Sequence, residues 1–164
     1  MKREKKKSDW FLYSFKDQRL RKLNNDTLSL SFNDKYESNY HLASSNEAYA
    51  VSNQWSYPWA RDIYRIDLDT QEELLIAKGV RFGGRLSPNR AYYTFYNPEL
   101  SEHMAIRINE RDTICLTCSV DSVIWSRDKN GLPALAGPKE VYGFSRDMGY
   151  YFQSERDLWM YDFN

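Results

Sequence analysis

Asp62-Ile-Tyr-Arg-Ile-Asp-Leu-Asp-Thr-Gln-Glu-Glu-Leu-Leu-Ile76 alternates apolar with polar residues, breaks at a short polar loop, and resumes as an apolar run. Period-two alternation marks a strand with one buried face, and a loop as short as Asp69-Thr-Gln joins antiparallel neighbours. The alternating unit recurs as Trp10-Phe-Leu-Tyr-Ser-Phe15, Ala105-Ile-Arg-Ile-Asn-Glu110 and Leu158-Trp-Met-Tyr-Asp-Phe163. Lys16-Asp-Gln leads the first of these into Arg19-Leu-Arg-Lys-Leu23, and Arg111-Asp leads the second into Thr113-Ile-Cys-Leu116. One face of the four copies collects Phe11, Tyr13 and Phe15, then Tyr64, Ile66 and Leu68, then Ile106 and Ile108, then Trp159, Tyr161 and Phe163. Burial is expected on that face, above all at Tyr64, Trp159 and Tyr161.

A second pattern lies upstream of this unit. Ser-x-Asn/Asp-x-Ala/Gly-Tyr occurs as Ser44 to Tyr49, Ser87 to Tyr92 and Ser145 to Tyr150. Asn or Asp bonds its own backbone in a turn, and Pro88 presets a turn dihedral. Each copy runs into residues that favour strands: Tyr49-Ala-Val-Ser, Tyr92-Tyr-Thr-Phe-Tyr and Tyr150-Tyr-Phe-Gln. Strand, turn, strand, hairpin and strand, repeated every ~40 to 55 residues, is the period of a propeller blade. The fold expected is all-β, a partial β-propeller of about three consecutive four-stranded antiparallel blades in one domain over 1–164. Residues 8–23 supply the last two strands of a blade, 40–78 and 81–118 a complete blade each, and 141–164 the first three strands of another. The final strand stops where its siblings enter a hairpin, so the chain reads as a piece of a longer protein. Open blade edges at both ends are expected to favour self-association.

Composition narrows the function. Lys and Arg total 23 and so do Asp and Glu, leaving no global field for nucleic acid or an anionic membrane. Aromatics at 16% supply bulk for packing between sheets. No apolar run approaches the ~20 residues that span a bilayer. The basic cluster Lys2, Arg3, Lys5, Lys6 and Lys7 reads as a solvated charge run. Cys115 and Cys118 fall in a β-branched run where residues three apart face opposite ways, so neither a mutual disulfide nor a shared metal is expected.

The strand, the Ser-Pro-Asn turn and the hairpin at 62–75 resemble the propeller repeats of TolB-like proteins and of the prolyl oligopeptidase family. Those repeats carry a Ser-Pro-Asp-Gly turn and a closing Asp-Leu-x-x-Gly-Glu hairpin; here Asn89 and Arg90 stand for the Asp and the Gly. Asp112-Thr-Ile-Cys-Leu-Thr, a linker through Pro133 and Pro138, then Tyr142-Gly-Phe-Ser-Arg-Asp and Asp157-Leu-Trp-Met-Tyr are similar in order and spacing to blades of large bacterial prolyl oligopeptidase-like peptidases. The resemblance implies a noncatalytic segment that gates or positions peptide substrates for an α/β-hydrolase domain absent from this chain. The alternative is a TolB-like propeller that binds protein or ligand. Under either reading no catalytic, cofactor-binding or metal-binding residue is expected, and neither nucleic acid nor membrane is a partner.

Other residues invite a functional reading. Gly143-Phe-Ser145-Arg-Asp147 lacks the second glycine of a nucleophile elbow and coincides with a turn, so Ser145 reads as structural. Glu72 and Glu73 are paired carboxylates at a strand edge, where charge discourages edge pairing. His41 and His103 stand alone, and Gly83-Gly84 fits close packing in an inner strand. Gln54-Trp-Ser-Tyr-Pro-Trp-Ala-Arg61 is different, because it spends Trp55, Tyr57, Trp59 and Arg61 on a loop. Such side chains dominate recognition surfaces, and these four form the candidate contact surface.

Overall fold

The computed structural model describes residues 9–23, 25, 27–30, 39–120, 125 and 136–164. The basic cluster at 2–7, residue 8 of the first segment, and Pro133 of the linker lie outside them. The described chain is all-β. Its strands are β1 (Phe11–Ser14), β2 (Arg19–Lys22), β3 (Ser29–Leu30), β4 (Tyr40–Ser45), β5 (Arg61–Asp67), β6 (Glu73–Val80), β7 (Phe82–Leu86), β8 (Tyr92–Asn97), β9 (Glu102–Arg107), β10 (Thr113–Cys115), β11 (Val141–Phe144), β12 (Gly149–Gln153) and β13 (Leu158–Asp162). They form antiparallel sheets of two to four strands in chain order: β1-β2, β3-β4-β5-β6, β7-β8-β9-β10 and β11-β12-β13.

The hairpins share one turn geometry. After β5 the Gln71 N–H returns to the Asp67 carbonyl at 2.9 Å, and after β9 the Arg111 N–H returns to that of Arg107 at 2.8 Å. Short polar side chains hold the loop backbone: Asp67 Oδ1 accepts from the N–H of Asp69 and Thr70, and Asn97 Oδ1 from those of Glu99 and Leu100. Accepting those backbone N–H bonds holds the Asp67 carboxyl below its ordinary range. One residue near the end of each loop is left-handed, with φ of 51° at Gln18, 62° at Gln71, 59° at Ser101 and 60° at Arg111.

Two copies of the six-residue pattern build strand-to-strand turns that their serine closes, across five residues in one and four in the other. In the β7–β8 turn the Ser87 hydroxyl donates to Asn89 Oδ1 and accepts from the Tyr92 N–H, and Arg90 takes φ of 59°. In the β11–β12 turn Ser145 Oγ accepts from the Gly149 N–H, and Met148 takes φ of 65°. The third copy does something else. Residues 44–45 end β4, Glu47–Tyr49 form a turn of 3-10 helix, and the strand expected from Tyr49 is replaced by a second such turn at Ser52–Gln54. Tyr49 leaves extended geometry because its phenol reaches Asp62, donating a hydrogen bond of 2.6 Å. The strand that pairs with β5 is therefore β4, before the motif rather than after it.

The β7–β10 sheet packs on both faces. Tyr93, Ile106 and Ile108 pack on one side with Ile63, Ile76, Ala77 and Val80 of the β3–β6 sheet. Tyr96 and Ala105 pack on the other with Leu116, Trp125, Tyr150 and Phe152. Ile106 and Ile108 are buried as their alternation predicts. Tyr64, Trp159 and Tyr161 pack against core residues but are only half-buried, short of the burial expected. The face of β1 departs furthest: Phe11, Tyr13 and Phe15 are exposed. Among the described residues the β1-β2 hairpin meets the next sheet through polar groups, such as Arg21 on the Asp69 carbonyl and Gln71 on that of Lys22, and no layer covers those rings.

Between Phe82 and Arg85 the register of β7 slips against β8, leaving Gly83 and Gly84 in a bulge. A Cβ on Gly84 would lie 1.9 Å from the Thr94 carbonyl oxygen and 2.5 Å from the Tyr93 ring, whereas a Cβ on Gly83 would meet nothing within 4 Å. Gly84→Ala is therefore expected to cost about 1–3 kcal/mol, read as a lower urea midpoint at unchanged slope. Gly83→Ala is expected to sit near wild type. Equal midpoints for the two variants would mean that the bulge has more room than its backbone shows.

Candidate recognition surface

The candidate loop occupies residues 46–60, between the paired strands β4 and β5. Its backbone is anchored from below. The Asn53 side chain, itself buried, donates to the Ala60 carbonyl and accepts from the Ala60 N–H, each at 2.9 Å, closing the loop across its base. Arg81 donates to the Pro58 carbonyl at 2.9 Å, and the Tyr57–Pro58 bond is cis. Asp62 accepts from both the Tyr49 hydroxyl and the Gly79 N–H, linking the loop to β6. Burial, with the Asp62 hydrogen bond and charge adding to it, pushes the Tyr49 phenol up to about 12, so it stays a donor at any ordinary pH.

What this framework carries is turned outward. Trp55 is 86% exposed, Tyr57 75% and Trp59 57%, although each is large enough to justify a place in a core. Trp59 and Arg61 share a cleft of about 270 Å³ with Thr27, Ser29, Ser44, Asn46 and Ala60. The cleft therefore offers an indole wall, one guanidinium, three hydroxyls and an amide. That set suits an extended polar ligand with amide groups and an anionic end. Trp55 and Tyr57 stand outside it, so the four predicted residues divide into a cleft pair and a protruding pair.

The other candidate residues lie apart from this loop. Ser145 Oγ accepts from the Gly149 N–H within its own turn. Glu72 and Glu73 are exposed at the start of β6, and Glu73 accepts a bond from Asn25. His103 is fully buried among aromatic rings. The cysteine expectation is overturned: Cys115 and Cys118 form a disulfide, with Cα atoms 5.6 Å apart. β10 stops at Cys115, and the buried Leu116 and Thr117 turn the chain, so the opposed faces of a continuous strand never arise. Sequence reasoning also missed that this turn meets Glu102; the signal available was the brevity of the β-branched run. A scan against protein-family models and a search of curated proteins both find no match to this chain.

Proposed function

We propose that this chain is a stretch of β-propeller from a prolyl oligopeptidase-like serine peptidase, and that it holds or gates peptide substrates for a hydrolase domain rather than cleaving them. The propeller half of this reading is supported by two four-stranded sheets that follow one another in chain order, the β7–β10 sheet packed on both faces. The peptidase half rests on the blade-like motifs between Asp112 and Phe163. Recognition is carried by one observation: loop 46–60 is fixed at its base yet displays its large aromatics to solvent. A fixed loop loses little conformational entropy when a ligand docks. The β1 face, whose Phe11, Tyr13 and Phe15 are exposed among the described residues, supports self-association of the chain by itself.

Trp55 and Tyr57 favour a second reading, a TolB-like module that docks a folded protein, because they protrude beyond the cleft. Titration of short peptides into labelled protein separates the two. Under the first reading, chemical-shift changes cluster on the cleft, and Trp59→Ala or Arg61→Ala weakens binding about tenfold or more, a loss typical of interface anchors. Peptide affinity unchanged in both variants would sink the cleft as a peptide site. Loss of a protein ligand only on Trp55→Ala and Tyr57→Ala would select the second reading.

A further inference from the structure

β10 ends at Cys115 and the chain doubles back onto β9. Three contacts hold the bend: the Leu116 N–H donates to the His103 carbonyl at 2.8 Å, the His103 N–H donates to Thr117 Oγ1 at 3.0 Å, and the Thr117 hydroxyl donates to the Glu102 carboxylate. The two sulfurs and a Glu102 carboxylate oxygen lie within 4.8 Å of one another. The Cys118 N–H also donates to Cys115 Sγ at 3.1 Å. Cys118 is exposed, so a reductant has access to the bond.

We propose that the reduced form of this turn is a metal site, in which Cys115, Cys118 and Glu102 hold a single borderline-soft divalent cation of the zinc type. A dithiol reductant supplies two electrons and two protons. The sulfur–sulfur bond breaks to two thiols, and the reductant closes its own disulfide. Metal binding then displaces both thiol protons to solvent. Two thiolates select against magnesium and calcium, and one carboxylate completes a three-ligand set that leaves a fourth position for water. Thr117 serves as the outer partner that fixes the carboxylate, as such groups do around metal ligands. The backbone is already bent, so the cation does not have to impose the turn. Oxidation state would thus decide whether the site carries a disulfide or a metal.

The test is titration of the reduced chain, under anaerobic conditions, with Co²⁺ and then Zn²⁺. Uptake of one equivalent with a thiolate-to-cobalt charge-transfer band is expected, followed by loss of the band as Zn²⁺ displaces cobalt. The oxidised chain should take up none. Glu102→Gln should keep the band but bind about tenfold or more weakly, and Cys118→Ser should abolish it. No band in the reduced wild type, metal uptake by the oxidised chain, or Glu102→Gln with wild-type affinity would each overturn the site. The oxidised wild type and Glu102→Gln both keep the two cysteines, so the outcome does not depend on whether Cys118→Ser folds.

Discussion

Phe152→Ala is expected to lower stability by about 3–5 kcal/mol, the range for truncating a large aromatic in a packed core. Phe152 is 3% exposed, with its ring centroid 4.5 Å from that of His103, 5.4 Å from Trp125 and 5.6 Å from Tyr150. His103 belongs to β9 and Tyr150 to β12, so the ring fills space between two sheets that share no backbone ladder. Little can collapse into the void, because both walls are held by their own strand pairing. A domain of this size has only about 5–15 kcal/mol in hand, so a large part of its stability would go. Urea unfolding should show the midpoint fall with the slope unchanged. A loss under about 1 kcal/mol would show that the two sheets do not depend on one core.

Acid should weaken the fold through His103, and the size of the effect follows from its surroundings. Among the described residues neither ring nitrogen has a hydrogen-bond partner, and the rings of Tyr96, Trp125, Tyr150 and Phe152 enclose it. Burial lowers its pKa from the ordinary 6.5 to about 4. The folded state thus binds the proton less readily than the unfolded chain. The stability is fully present above pH 6.5 and is lost as pH falls from 6.5 toward 4, by about 3 kcal/mol in all. Tyr150, pushed up to about 12 by burial, stays neutral throughout and adds no charge to the ring cluster. The lowered Asp67 carboxyl titrates below this window, so it does not confuse the reading. Urea midpoints across pH 4 to 7 should slope for wild type and lie markedly flatter for His103→Phe, which fills the same space without a titrating group. Parallel curves would place the acid sensitivity elsewhere.

Much of the fold was legible because its signals are local. Ile106 and Ile108 alternate with Ala105 and Arg107, and the turn at Ser87-Pro-Asn89 bonds within itself. What failed depended on partners far along the chain. Ser44 to Tyr49 carries the same letters as the working turns, yet Tyr49 is drawn to Asp62 and the segment coils instead. The β1 aromatics alternate as a buried face should, but burial needs a covering layer that no local pattern specifies. The cysteines paired because β10 is three residues long, and its end is set by contacts of Leu116 and Thr117 with β9. At the candidate site, the aromatic content of 54–61 was readable. Its rigidity was not, because that depends on Asn53 meeting Ala60 and on Arg81 reaching back from beyond β6.

The left-handed residues bear on how this chain tolerates change. Gln18, Gln71, Arg90, Ser101, Arg111 and Met148 all occupy a conformation that disfavours any residue with a Cβ. Glycine at such a position typically relieves about 1 kcal/mol. Arg90 and Met148 are buried and the Gln71 side chain donates to the Lys22 carbonyl, so glycine there would forfeit contacts, but Gln18, Ser101 and Arg111 close exposed hairpins. Those three sites form a reserve of compensating substitutions. A lineage or an engineer accepting a costly change in the aromatic core, or reshaping the loop at 46–60 for a new ligand, has neutral turn positions from which to recover the loss without touching either the core or the binding face.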